Sequence, residues 1–266
     1  MPARPRQTTA SVVPSGATRV TRRARNAPAL APGAVGAEVR RLVEARLART
    51  DAVAAEALFL DRIERFAEAL ALWGTRFNLT AEPASPEAVA LHVIDSLAPL
   101  LLARRSNAGV LADALERART VLDLGSGAGM PGLILAAALD RLSFTLVEAR
   151  RKRASFLSVA ATAMRLANVR VESVRLPSRT FAERFDLVTA RAFGRVENVY
   201  RIAAEAASLG GLLLLYASQA QPIALLVARA HGFESAAELT YEIDCDGHQL
   251  RRLVVWKKVV EPRISA

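Results

Sequence analysis

Apolar residues recur along this chain with two rhythms, and the change between them falls near Thr120. Before it the spacing is helical. Val39, Leu42, Val43 and Leu47 recur every three or four residues, and Phe59, Ile63, Phe66, Leu70, Trp73 and Phe77 draw one stripe down a further helical stretch. That stripe reads as a packing face rather than a base-stacking platform. "FNLTAEP" ends this helix, and "SPEAVALHVIDSLAPLLLA" starts another, with Ser85 as N-cap and Pro86 at the first helical position. Beyond Thr120, short and mostly apolar runs take over: "TVLDL", "SFTLVEA", "VRVES", "FDLVTA" and "GLLLLYA". Runs of this kind suit strands buried on both faces, and their alternation with helices predicts a doubly wound α/β sheet. The last run, "LRRLVVWKK", carries charge at both ends and suits a terminal antiparallel strand.

This division predicts three segments: an arm over 1–37, a helical cap over 38–105 and an α/β domain over 106–266. The arm contains no acidic residue, and its arginines lie among Pro, Ser, Thr, Gly and Ala. Such a segment buries too little apolar area to offset its ordering entropy, so a disordered basic arm is expected. An acid-poor, Arg-rich transit peptide or a mis-assigned start codon would read alike.

Composition narrows the partners. With 52% hydrophobic residues in 266, the chain can build a sizeable core, and no apolar run is long enough to span a membrane. The formal charge of +10 favours an anionic partner at long range, although a genome rich in G and C would produce the same excess of arginine. Cys245 is alone, which excludes a disulfide framework and fits a reducing cytosol. A cytoplasmic monomer without metal or membrane partner is the expectation.

The densest candidate chemistry is "DLGSGAGMPG", Asp123 to Gly132, between a strand and a helix. Ligands of such sheets sit at the carboxyl ends of the strands. Gly127, Gly129 and Gly132 spell G-x-G-x-x-G, a weak dinucleotide fingerprint, with Glu148 about twenty residues on for the ribose hydroxyls. The second reading is S-adenosylmethionine. Asp123 would repel a pyrophosphate but can pair with a methionine ammonium, directly or through water. Gly125, Gly127 and Gly129 would let the backbone close on an uncharged nucleoside. The second reading is favoured. Against both stands a structural role, with Asp123 satisfying loop amides and Glu148 pairing with the "RRKR" of residues 150–153. That basic run is otherwise a solvated helix start or a nucleic-acid phosphate contact.

Taken together, "FNLT", "LHVIDSL", "VLDLGSGAGMPG", "FTLVEARRKRASFL", "TARAF" and "LRRLVVWKK" resemble the RsmG/GidB family of small-subunit ribosomal RNA methyltransferases. The resemblance implies a class I methyltransferase fold with an N-terminal helical cap, and methylation of N7 of a guanine in 16S ribosomal RNA or a ribosomal subunit from S-adenosylmethionine. It implies cofactor contacts at Gly125, Met130, Leu176, Pro177 and Arg191. It also implies that Asn78, His92, Asp95, Arg175 and Arg251 face the cofactor or RNA. The duller alternatives are that His92 and Asp95 bond each other, that Arg191 forms an ion pair and that Asn78 stops a helix. The chain departs from the family pattern at Ala128, where proline is frequent, at Leu176-Pro177, and at Ser218-Gln219, where the family carries Lys-Gly. A nicotinamide oxidoreductase, or an RNA-binding protein whose cofactor site has decayed, are the competing functions.

Overall fold

The computed structural model describes residues 33–50, 56–74, 76–176, 181–192, 194–219, 224–243 and 249–260. The expected basic arm, Pro177 and Cys245 lie outside them. The first described helix is α1 (Ala34–Leu47), which starts four residues before Glu38. The chain continues through α2 (Ala57–Gly74), α3 (Pro86–Ser96), α4 (Ala98–Leu102) and α5 (Gly109–Arg117). Ser85 caps α3 as its sequence predicts, its side chain accepting a bond from the amide of Ala88 at 3.2 Å.

The stripe of α2 buries Phe59, Ile63, Phe66 and Leu70, but the helix stops before Phe77. At Gly74 a Cβ would sit 2.1 Å from Cβ of Pro83, so the chain turns there beneath the returning loop. Phe77 nevertheless rejoins the stripe, its ring 5.4 Å from Trp73. Periodicity identified the contact and overran the helix.

The α/β part runs β1 (Thr120–Leu124), α6 (Gly132–Ala138), β2 (Ser143–Val147), α7 (Arg151–Ala163), β3 (Val169–Glu172), β4 (Phe185–Arg191), α8 (Val196–Ala206), β5 (Ala207–Ser218), α9 (Leu225–Ala230), β6 (Phe233–Ile243) and β7 (Gln249–Lys258). The strand order is β3-β2-β1-β4-β5-β7-β6. The first five strands pair in parallel, and β7 enters antiparallel between β5 and β6. This is the mostly parallel, doubly wound class that the sequence implies, and the chain reverses direction across the sheet between β1 and β4.

Strand alternation divides the core between the two faces. On β5, Leu212, Leu214 and Tyr216 join a cluster with Phe66, Val93, Leu133 and Phe156, while Leu213 and Leu215 join one with Tyr200, Phe233 and Trp256. The cap helices thus share one core with α6, α7 and a sheet face. The apolar pattern did not predict β6: of "FESAAELTYEI" only Phe233, Leu239 and Ile243 are buried, as suits an edge strand. Lys258, one of the charges at the end of the last run, is buried. Its Nζ donates to the carbonyls of Ala204 and Ala207 at 2.7 and 2.9 Å, closing the C-terminus of α8. Among the described residues no helix is long and apolar enough to cross a membrane.

Candidate functional site

The glycine loop leaves β1 at the switch point. Gly125, Gly127 and Gly129 have φ of +67°, +57° and +84°, a region that side-chain-bearing L-residues rarely occupy. Backbone bonds fix this course: the amide of Ser126 donates to the carbonyl of Val147 at 3.0 Å, and that of Gly129 to the carbonyl of Ser126 at 2.7 Å. Gly132, the third glycine of the dinucleotide pattern, has a packing role, since a Cβ there would lie 2.5 Å from Oδ2 of Asp123. Ala128 and Met130 are both buried, so the methionine side chain belongs to the core beneath the loop.

Two carboxylates flank the loop. Glu148, just beyond β2, accepts from the amide of Gly127 at 3.0 Å on Oε2 and from the amide of Arg150 at 2.8 Å on Oε1. It is therefore held by backbone amides rather than by ion pairs with the neighbouring arginines. Each oxygen uses one lone pair in these bonds and keeps another for a further donor. Asp123 is only 1% exposed, and Thr189 Oγ1 donates to its Oδ1 at 2.6 Å. Burial pushes its carboxyl above the usual range, opposed by the bonds from Thr189 and Ser126, the charge of Arg191 and the amide of Gly132. Its Oδ2 is buried without a well-formed hydrogen bond.

The "HVIDS" stretch docks the end of α3 onto the carboxyl ends of β4 and β5 and the neighbouring β6–β7 pair. Asp95 Oδ2 takes Nη1 of Arg191 at 3.0 Å, and Oδ1 takes the hydroxyl of Tyr241 at 2.7 Å. Both Asp95 and Arg191 are largely buried. Tyr216 on β5 donates to the carbonyl of Ser96 at 2.8 Å. The expected local alternative, His92 bonded to Asp95, gives way because both oxygens of Asp95 reach across to other elements. His92 is pushed below the usual histidine range by burial, then by the charge of Arg191, with Asp95 opposing and Arg251 adding to the shift, so the neutral form is favoured. In the β5–β7 and β6–β7 registers Arg251 stands opposite Ser218 and Tyr241. It therefore sets a cation beside Ser218 at the end of β5. Tyr216 and Tyr241 went unnoticed in the sequence because each lies in an ordinary strand pattern, and only strand order brings them to the end of α3.

Other candidates fall elsewhere. Asn78 is exposed in the loop after α2, with φ +23°, and its carbonyl accepts from Nη2 of Arg153 at 3.1 Å. It thus lies on the Gly127 and Glu148 side of the loop, whereas Arg191, which faces both Asp95 and Asp123, marks the other side. Leu176 is half-buried after β3, packed against the core of the α8 face, and Arg175 beside it is exposed.

Through most of its described part, this chain is similar to one family. The family model described as rRNA small subunit methyltransferase G matches residues 60–243. The ribosomal RNA small subunit methyltransferase G of Acidiphilium cryptum is 34% identical over 212 residues, covering 77% of this chain and 86% of that one. Its counterpart in Borrelia turicatae is 29% identical over 199 residues, covering 74% and 90%. That of Chloroflexus aggregans is 31% identical over 204 residues, covering 74% and 81%. The chain belongs to the rRNA small subunit methyltransferase G family.

Proposed function

We propose that this chain methylates small-subunit ribosomal RNA from S-adenosylmethionine, at N7 of a guanine, with the glycine loop as the cofactor site. One observation carries the cofactor assignment. Glu148 is fixed at the tip of β2 by the amide of Gly127, within a loop whose three glycines adopt positive φ, and retains an acceptor lone pair on each oxygen. Those two lone pairs fit the two ribose hydroxyls. A Cβ placed on Gly127 would meet nothing nearer than 3.7 Å, which leaves the backbone open to close approach. Oδ2 of Asp123, buried against Gly132 without a well-formed hydrogen bond, suits an ammonium group, directly or through water. Leu176 offers an apolar wall for the adenine, and Met130 its backbone. The oxidoreductase reading has no support from the family, and Gly132 serves packing rather than a pyrophosphate.

When bound, the sulfonium supplies an already activated methyl group, and guanine N7 has an available lone pair. The chain's own contribution is therefore to hold the acceptor in line, and no general base is assigned. The neutral His92, the Asp95–Arg191–Tyr241 group and Arg251 form a polar wall beside Asp123 suited to the base and its O6. The target base must be unstacked, at a cost of about a few kcal/mol unless the RNA is already open. Transfer of tritiated methyl from S-adenosylmethionine to rRNA, with mass mapping of the product, tests the reaction. Methylation of another base, or none on either naked RNA or the subunit, would refute it.

Glu148→Gln should weaken cofactor binding by roughly 1–3 kcal/mol, because its NH2 only donates and can accept from neither the backbone amide nor the hydroxyl. An unchanged dissociation constant in calorimetry would confine Glu148 to bracing the loop. Arg251→Ala should reduce methyl transfer, leave cofactor affinity nearly unchanged and lower the salt slope of RNA binding by roughly one unit. Wild-type transfer by this variant would remove Arg251 from the substrate site.

A further inference from the structure

A cavity opens on the other side of the glycine loop from Asp95. Arg76, Phe77 and Asn78 of the α2–α3 loop face Arg150, Arg151, Lys152 and Arg153 at the start of α7, around a space of about 440 Å³. Two elements distant in sequence thus contribute five cations to one concavity. Two of the five are held from behind. Nζ of Lys152 lies 5.1 Å from the ring centroid of Phe77, Phe77 stacks on Trp73, and Trp73 packs on Phe156 of α7 at 6.1 Å. Nη2 of Arg153 is tied to the carbonyl of Asn78, and its Nη1 would lie 3.8 Å from a Cβ on Gly127. The pocket therefore shares a wall with the proposed cofactor site.

No carboxylate among the described residues forms an ion pair with any of the five cations, and α7 has no acid in its first turn. Elsewhere on the same surface arginines do find carboxylates, as in Arg41–Glu38 and Arg65–Asp61. Mutual repulsion among five clustered cations, two of them held in place, is an electrostatic cost that an anion would relieve. The cofactor does not supply that anion: it has no phosphate, and its one carboxylate is joined to the carbon bearing the ammonium group assigned to Asp123, across the glycine loop from this pocket. Arginine forks and a lysine point charge suit phosphate oxygens.

We infer that this pocket binds backbone phosphates of the substrate RNA beside the methyl-transfer site, setting the register of the strand whose base enters it. The inference rests on the rRNA reading above. Contacts of this kind position the strand without reading its sequence. Phe77, half-buried under Lys152, makes the floor apolar.

The test uses the full chain with Arg76, Arg151 and Lys152, all exposed, replaced together by glutamine, and a naked transcript of the small-subunit rRNA as probe. A control replaces Arg165, Arg184 and Arg229, likewise exposed and far from the pocket in sequence or on other elements, by glutamine, so that net charge falls equally. The pocket variant should bind the transcript about tenfold more weakly, and its log–log salt slope should fall by roughly 0.7 for each phosphate that is no longer neutralised. Its affinity for S-adenosylmethionine should stay within about twofold, and the control should be weakened much less. Equal weakening in both variants would assign the effect to net charge and overturn the site. So would wild-type RNA affinity in the pocket variant while the unmodified chain still methylates rRNA. If the unmodified chain binds the transcript but transfers no methyl group, the reaction assignment fails and the slope difference still decides the pocket. Binding of inorganic phosphate that the pocket variant loses, with RNA affinity unchanged between the variant and the unmodified chain, would identify a small-anion site instead, and overturn the RNA assignment.

Discussion

Gly125→Val is expected to abolish binding of S-adenosylmethionine, raising its dissociation constant roughly a hundredfold or more, about 3 kcal/mol. At φ +67° a β-branched residue pays about 1–3 kcal/mol of backbone strain, so the loop shifts rather than holds its course. The shift propagates because the next two amides are structural. Ser126 donates to Val147 and Gly127 to Glu148, and moving either releases the carboxylate that should take the ribose. Gly125→Ala should show the same defect in milder form. Calorimetric titration reads the affinity, and far-ultraviolet circular dichroism reports whether the sheet survives. A folded variant with near-normal affinity would show that the loop is a structural turn and that the cofactor lies elsewhere.

Asp95→Ala is expected to be the most destabilising single change, at about 3–5 kcal/mol. It leaves the largely buried guanidinium of Arg191 without its counter-charge and the hydroxyl of Tyr241 without its acceptor. The effect reaches beyond one pair, since Asp95 is the point at which α3 meets both β4 and β6. Urea denaturation measures it directly. Combining the change with Arg191→Met should recover much of the stability, because the uncompensated charge is then gone. Methyl transfer should not recover, since the polar wall beside Asp123 would be absent. A destabilisation below about 1 kcal/mol in the single variant would mean that water substitutes readily for Asp95, as at an exposed ion pair.

The oligoglycine stretch was legible in the sequence because its requirement is local. Positive φ at three close positions excludes most other residues, whatever surrounds them. The same holds for the N-cap at Ser85 and for the apolar runs of β1, β2, β4 and β5, whose burial on both faces follows from their own composition. The stripe of α2 was equally visible, although its end was not. The helix ends at Gly74, where Pro83 of the returning loop packs too close for a side chain, and periodicity cannot see such a partner.

What the sequence determined by itself, then, was the set of elements with a strong local signature, the loop that can admit a nucleoside, and the identity of the acids and bases near it. The tertiary structure decided what those groups touch. His92 and Asp95, neighbours on one helix, do not bond each other because β4 and β6 bring Arg191 and Tyr241 to Asp95. Glu148 is held by amides rather than by the adjacent arginines, because the loop returns over β2. Those arginines are consequently left to face Arg76 across a pocket that exists only once α2 and α7 pack together. Distances along the chain rank local partners, but a folded backbone offers nearer ones, and fixed short contacts outweigh flexible charges that must leave water to pair.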